Sequence, residues 1–280
     1  MNRPQSRPFT QVDVFTDVAL RGNPLAVVHD ADGLSDTQMQ EFARWTNLSE
    51  TAFLLRPSEP DADYRVRIFT PVRELPFAGH PTLGSCHAWL EHGGAARHAH
   101  EVVQQCQVGL VRIRRSAGRL AFAAPPRKRT GPVEPEVLAQ IVRSLRIDAA
   151  AIKASQWVDN GPGWVAVMLG SRADLLAIKP DYAAMRGLEL GAVAPWADGE
   201  AQFEVRAFTS DNGGYEDPVT GSLNASLAQW LIGANLAPPS YVASQGSALD
   251  RAGRVHVERD GETVWVGGGS VSCVRGQVSI

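Results

Sequence analysis

EDPVTGSLNASLAQWL, residues 216–231, is the stretch on which the fold turns. Pro218 stiffens the entry, a Thr-Gly-Ser step follows, and Leu223, Leu227, Trp230 and Leu231 recur at helical spacing. The pattern predicts a loop that delivers polar residues to the start of an amphipathic helix. The first peptide N–H groups of a helix lack intrahelical partners, and Gly221 has no side chain to shield them, so backbone alone could hold an anion there. Asp217 and Ser222 flank that opening.

The same design occurs earlier in the chain. RIFTPVRELPFAGHPTLGSCHAWL from Arg67 matches RAFTSDNGGYEDPVTGSLNASLAQWL from Arg206. Each copy has a strand ending in Phe-Thr (Phe69-Thr70, Phe208-Thr209) and an acidic loop with Pro. Each continues with Gly and a polar residue (Gly79-His80, Gly221-Ser222), and then a helix ending in Trp-Leu (Trp89-Leu90, Trp230-Leu231). Upstream, the strand-turn-strand around Asp13 matches the one around Asp159 at nearly the same distance from its Gly-polar pair. The reading is a duplicated α+β domain, residues 1–125 and 126–280, with the last strand able to return to the first half.

Composition sets the remaining bounds. The chain has 280 residues, of which 44% are apolar, enough for two ordinary cores. A net charge of −3 and a pI near 6.2 give no basic footprint, so nucleic acid is not an expected partner. Three cysteines, Cys86, Cys106 and Cys273, are odd in number and without close pairing, which fits a reducing compartment. The N-terminus has no apolar signal region, and no apolar run approaches the ~20 residues of a membrane span. The expectation is a soluble cytoplasmic protein with no membrane partner.

Taken in order, Phe9–Phe15 and Leu25–Val28 read as strands joined by a turn at Gly22-Asn23-Pro24, and Ser35 or Asp36 caps a helix with Met39, Phe42, Ala43 and Thr46 on one face. Glu50 stands at the mouth of the strand Ala52–Leu55. Its ordinary reading is a solvated strand end, and its functional reading is a carboxyl at the edge of an apolar cluster, placed for proton transfer. His80 opens a helix, where it either caps that helix or serves as a neutral donor and acceptor. His87, His92, His98 and His100 lack cysteine or carboxylate partners at metal spacing and read as surface residues, so no metal is expected. VGLVRIRRS and GRLAFAAP read as a hairpin around a Ser-Ala-Gly turn, and APPRKRTGPVEP as a linker. A helix follows at Pro135–Leu145. The Asn160–Trp164 turn is either a plain hairpin loop or a ligand-contacting one, and matches no phosphate-loop pattern. VWVGGGSVSCVRGQVSI reads as two strands around a glycine turn.

RGNPLAVV (21–28), NLSETAFLL (47–55), FTPVRELPFAGHPTLG (69–84) and EDPVTGSLNASLAQWL (216–231) together resemble the phenazine-biosynthesis PhzF-like isomerases, relatives of diaminopimelate epimerase and proline racemase. The resemblance covers nearly the whole chain in order. It implies two similar domains, each a β-barrel-like sheet around a central helix, with the active site in the cleft between them, no cofactor, and commonly a homodimer. It implies Glu50 as the proton shuttle in isomerising a dihydro-hydroxyanthranilic acid, a small carboxylic acid. His80, Asp217 and Ser222 would line the pocket, and the Gly79 and Gly221 N–H groups would meet a carboxylate or developing enol oxygen. The epimerase relatives place a cysteine just before each glycine turn. Ala78 and Pro218 stand there here, which excludes two-thiol racemisation and leaves one-base chemistry through Glu50. Two alternatives stay open: a Ser222–His80–Asp217 hydrolase, which lacks a G-x-S-x-G elbow, and a non-catalytic binder of small carboxylates. Specificity is expected to lie in the loops Asp211–Tyr215 and Asn160–Trp164.

Overall fold

The computed structural model describes residues 5–116, 118–210 and 214–280. Ala117 of the Ser-Ala-Gly turn, and residues 211–213 of the loop expected to set specificity, lie outside the described residues. The chain forms two compact units, residues 1–123 with 267–280 and residues 124–266.

In the first unit Ser6–Val14 lies antiparallel between Asn23–Val28 and Ser270–Ser279. A helix, Asp36–Thr46, carries the chain over to Thr51–Leu55, which pairs parallel with Asn23–Val28, as a strand-helix-strand crossover requires. Ser35 starts that helix with a full capping box to Gln38. Next come Tyr64–Phe69, antiparallel to Thr51–Leu55, and the two-residue return strand Glu74–Leu75. The helix Gly79–Glu91 follows. Glu101–Cys106, Gly109–Ser116 and Arg119–Ala123 complete the unit as a meander. The helix touches strands from both ends of this order, Ser6–Val14 and Ser270–Ser279 as well as Arg119–Ala123, so the sheet curves around it. Gly84 lets the helix lie close to the first hairpin, since a Cβ there would sit 2.6 Å from Leu25 Cδ2 and 2.8 Å from Val14 Cγ2.

The second unit repeats the plan. Ile152–Asp159 and Trp164–Leu169 form the hairpin, the short helix Arg172–Ala177 crosses over, and Glu189–Pro195 runs parallel to Trp164–Leu169. Phe203–Thr209 and its return strand Tyr215–Asp217 lead to the helix Gly221–Gly233. The duplication extends to side chains. Thr51 pairs with Phe69 and Phe69 with Glu74; Leu190 pairs with Phe208 and Phe208 with Glu216. On those registers Arg67 grips Glu74 through two bonds of 2.7 Å with its guanidinium 5.1 Å from the Phe69 ring centroid. Arg206 grips Glu216 at 2.9 and 2.7 Å with its guanidinium 4.9 Å from Phe208.

Three expectations change. The helix Gly221–Gly233 is buried nearly all round, at Asn224, Ala225, Ser226 and Ala228 as well as at its leucines, and is a central rather than an amphipathic element. The segment read as a linker contains the strand Arg129–Gly131, paired with Ile152–Asp159. His87 is half-buried rather than on the surface, with Ser272 Oγ at 3.2 Å and Glu91 Oε1 at 3.4 Å. Sequence reading also passed over His29. It is 2% exposed, 3.0 Å from Thr10 Oγ1, with its ring 4.3 Å from that of His92. Burial, reinforced by His92 and opposed by Asp30, pushes its pKa down to about 4.

Candidate active site

Both glycine-led helices begin without a side-chain cap. In the first unit the residue before Gly79 is Ala78, which has no polar atom to offer. In the second it is Thr220, whose hydroxyl is committed elsewhere: Thr220 Oγ1 donates to Asp217 Oδ2 at 2.5 Å and accepts from Gln245 Nε2 at 2.9 Å. Gln245, fully buried, also donates to Asp217 O and accepts from Thr220 N and Asn224 Nδ2. That network fixes Asp217 and the approach to the helix together. Ser35 and Ser171 cap their helices; the Pro135–Leu145 helix also lacks a side-chain cap, but Pro135 fills its first turn, whereas the glycine helices open on a residue without a side chain. These caps also revise one alignment. The helix caps are Ala78 and Thr220, so Thr220, not Pro218, is the second-half counterpart of Ala78. Neither position carries a thiol. Cys86 is buried along the first central helix with its thiol pushed up to about 12 by burial, which makes it an inert core residue.

In the first unit Glu50 precedes the strand Thr51–Leu55, and His80 is the second residue of its helix. The crossover brings them together: Glu50 Oε2 lies 3.1 Å from His80 Nδ1, with Glu50 18% exposed and His80 4% exposed. A carboxylate at the rim and an imidazole behind it is an arrangement that can hold and orient a proton carrier.

In the second unit Asp217, Gly221 and Ser222 cluster at one helix start. Asp217 is 8% exposed and Ser222 is half-buried. The Asn160–Trp164 loop reaches the same place. Trp164 Nε1 donates to Ser222 Oγ at 3.0 Å, and Asn160 Nδ2 donates to Ser222 O at 3.0 Å. Asp159 Oδ1 shapes the loop by accepting from Gly161 N at 2.6 Å and Gly163 N at 2.7 Å, and Gly163 supplies the positive φ of 96° the turn needs. The Ser222 hydroxyl thus accepts from the Trp164 indole, a group that donates only and cannot take the hydroxyl's proton. Trp164, Thr220 and Gln245 were not singled out by sequence reasoning. Trp164 had a signal in its place at the end of the glycine loop, whereas Gln245 had none.

Residues 12–276 match the model of the phenazine biosynthesis-like protein family, PhzC-PhzF. The chain belongs to this family. Antisense-enhancing sequence 1 of Schizosaccharomyces pombe is 33% identical, covering 96% of this chain and 97% of the relative. A trans-2,3-dihydro-3-hydroxyanthranilate isomerase of Pseudomonas chlororaphis is 34% identical, covering 90% and 95%. A PhzF-family protein from Enterococcus faecalis superposes with a TM-score of 0.82 at 26% identity, over 99% and 100% of the two chains. A hydroxyproline epimerase from Agrobacterium vitis shares the fold, with a TM-score of 0.60 at 14% identity over 98% and 93%. The fold is the α+β, diaminopimelate epimerase-like one, and the protein is an isomerase of the PhzF family.

Proposed function

We propose that this PhzF-family isomerase moves a hydrogen within a small cyclic carboxylic acid of the trans-2,3-dihydro-3-hydroxyanthranilate type, without a cofactor, using Glu50 as its single base. The observation that carries the reading is the Glu50–His80 pair, 3.1 Å apart at the mouth of a strand. Glu50 removes a proton from a ring carbon, the electron pair shifts along the conjugated system toward the carboxyl-bearing carbon, and Glu50 returns the proton to another ring carbon. No electrons leave the substrate, so a carboxylate suffices. His80 holds one carboxylate oxygen and leaves the other for the ring. The uncapped N–H groups at Gly79 and Gly221 are suited to negative charge that develops as the proton leaves. Asp217 and Ser222 are assigned to the substrate's polar groups.

The test is deuterium incorporation in heavy water, followed by NMR, with trans-2,3-dihydro-3-hydroxyanthranilate and a panel of cyclic and amino acids. Wild-type protein is expected to exchange a ring hydrogen, and Glu50→Gln to exchange none while keeping its melting profile. Exchange that survives in Glu50→Gln removes Glu50 from the mechanism. Binding without exchange on any acid would make the protein a carboxylate binder.

A further inference from the structure

The two halves place different chemistry on one frame. The strand registers make Glu189 the counterpart of Glu50, each being the residue before the partner of Phe208 or Phe69, and make Ser222 the counterpart of His80. Glu50 faces His80, whereas Glu189 accepts from Ser210 N at 3.2 Å and lies 3.3 Å from Ser210 Oγ. Ser222 instead takes the Trp164 indole.

The direction of that last bond is fixed by chemistry. An indole N–H only donates, so Ser222 Oγ accepts. One lone pair is committed to Trp164, and the hydroxyl hydrogen points away from it. A hydroxyl that accepts one hydrogen bond also becomes a stronger donor in the next. Trp164 is 3% exposed and cannot swing aside, and Asn160 pins the Ser222 carbonyl from the same loop. The Thr220 hydroxyl, two residues before Ser222, is spent on Asp217 and Gln245.

We propose that Trp164 is a positioning residue: it sets Ser222 as a directed donor to the substrate's carboxylate and so selects an acidic substrate. The role rests on the isomerase reading above. Because Trp164 acts through Ser222, its removal weakens binding of the carboxylate and leaves proton movement alone.

Three variants, Trp164→Phe, Ser222→Ala and the double variant, are compared with wild type in turnover of trans-2,3-dihydro-3-hydroxyanthranilate. Their affinities are measured by calorimetry for 3-hydroxyanthranilate, the non-isomerising aromatic analogue, and for 2-aminophenol, the same ring without the carboxylate. Each single variant is expected to raise KM and the 3-hydroxyanthranilate Kd about tenfold, the worth of one hydrogen bond to a charged group. The expectation also holds kcat within about threefold and the 2-aminophenol Kd unchanged, and makes the double variant no worse than Ser222→Ala. Multiplying effects, or equal weakening of both ligands, would show that Trp164 merely packs the core and would overturn the proposal. Wild-type binding without turnover sinks the isomerase reading but leaves the coupling readable in Kd. Wild-type protein that neither binds nor turns over sinks both.

Discussion

One motif, an arginine on a strand gripping a glutamate on the return strand, occurs twice at different depths, and depth should decide its value. Arg206 and Glu216 are 5% and 6% exposed, whereas Arg67 and Glu74 are 17% and 31% exposed. Glu216→Gln keeps the shape and removes the charge. It strands a buried guanidinium whose other acceptors are the carbonyls of Leu175 and Ile178, both neutral. Breaking a buried pair from one side costs about 3 kcal/mol or more. The same change at Glu74 leaves Arg67 in reach of water and of Asp36 at 2.6 Å, and should cost about 1 kcal/mol or less. With a urea slope of roughly 2 kcal/mol/M, the midpoint shifts are about 1.5 M and at most 0.5 M. Urea titration gives the midpoints, and hydrogen exchange on peptides spanning 64–75 and 203–217 locates the loss. Adding salt should shrink the Glu74 effect and leave the Glu216 effect. Equal losses for the two variants, or a Glu216→Gln loss below about 1 kcal/mol, would refute the argument from burial.

The remaining expectations concern acid, thiols and the shuttle. His29 titrates at about 4 when folded and near 6.5 when unfolded, so the unfolded chain binds the extra proton between those values. Stability is complete above pH 6.5 and should fall by about 3 kcal/mol as pH drops toward 4, with His29→Asn flattening that slope in denaturation at each pH. Cys86, pushed up to about 12, and Cys106, pushed up by burial, should resist a maleimide at pH 8 in native protein and react once unfolded, as read by mass spectrometry. On the mechanism proposed above, His80→Ala should retain part of the exchange that Glu50→Gln loses altogether, because there His80 orients the base without carrying the proton.

What the sequence made legible is what recurs in it. The Phe-Thr strand ends, the glycine-led helix starts and the Trp-Leu helix ends could be read twice, and the second reading supported the first. Pairings that depend on the fold could not be read. Glu50 and His80 are thirty residues apart and meet only because a parallel crossover lays Thr51–Leu55 beside Asn23–Val28. Gln245 lies on a strand far along the chain from Thr220, and nothing in its local sequence marks it as the centre of a buried network. The second central helix misled because Leu223, Leu227, Trp230 and Leu231 suggest one stripe, while its small residues, Ala225, Ser226 and Ala228, are buried on the others. Small residues let strands close in on every side, and hydropathy alone does not register that.

The strand Ser270–Ser279 belongs to the first unit, although the whole of the second unit lies between it and Arg119–Ala123. During synthesis, residues 124–266 emerge entire before Ser6–Val14 meets its outer neighbour. The usual order of folding on the ribosome, N-terminal part first, is therefore reversed for completion. The second unit can close on itself while the first still exposes one edge of Ser6–Val14. That open edge, carrying unpaired backbone groups, is the place where a nascent chain of this fold would be caught by a chaperone or by a second copy.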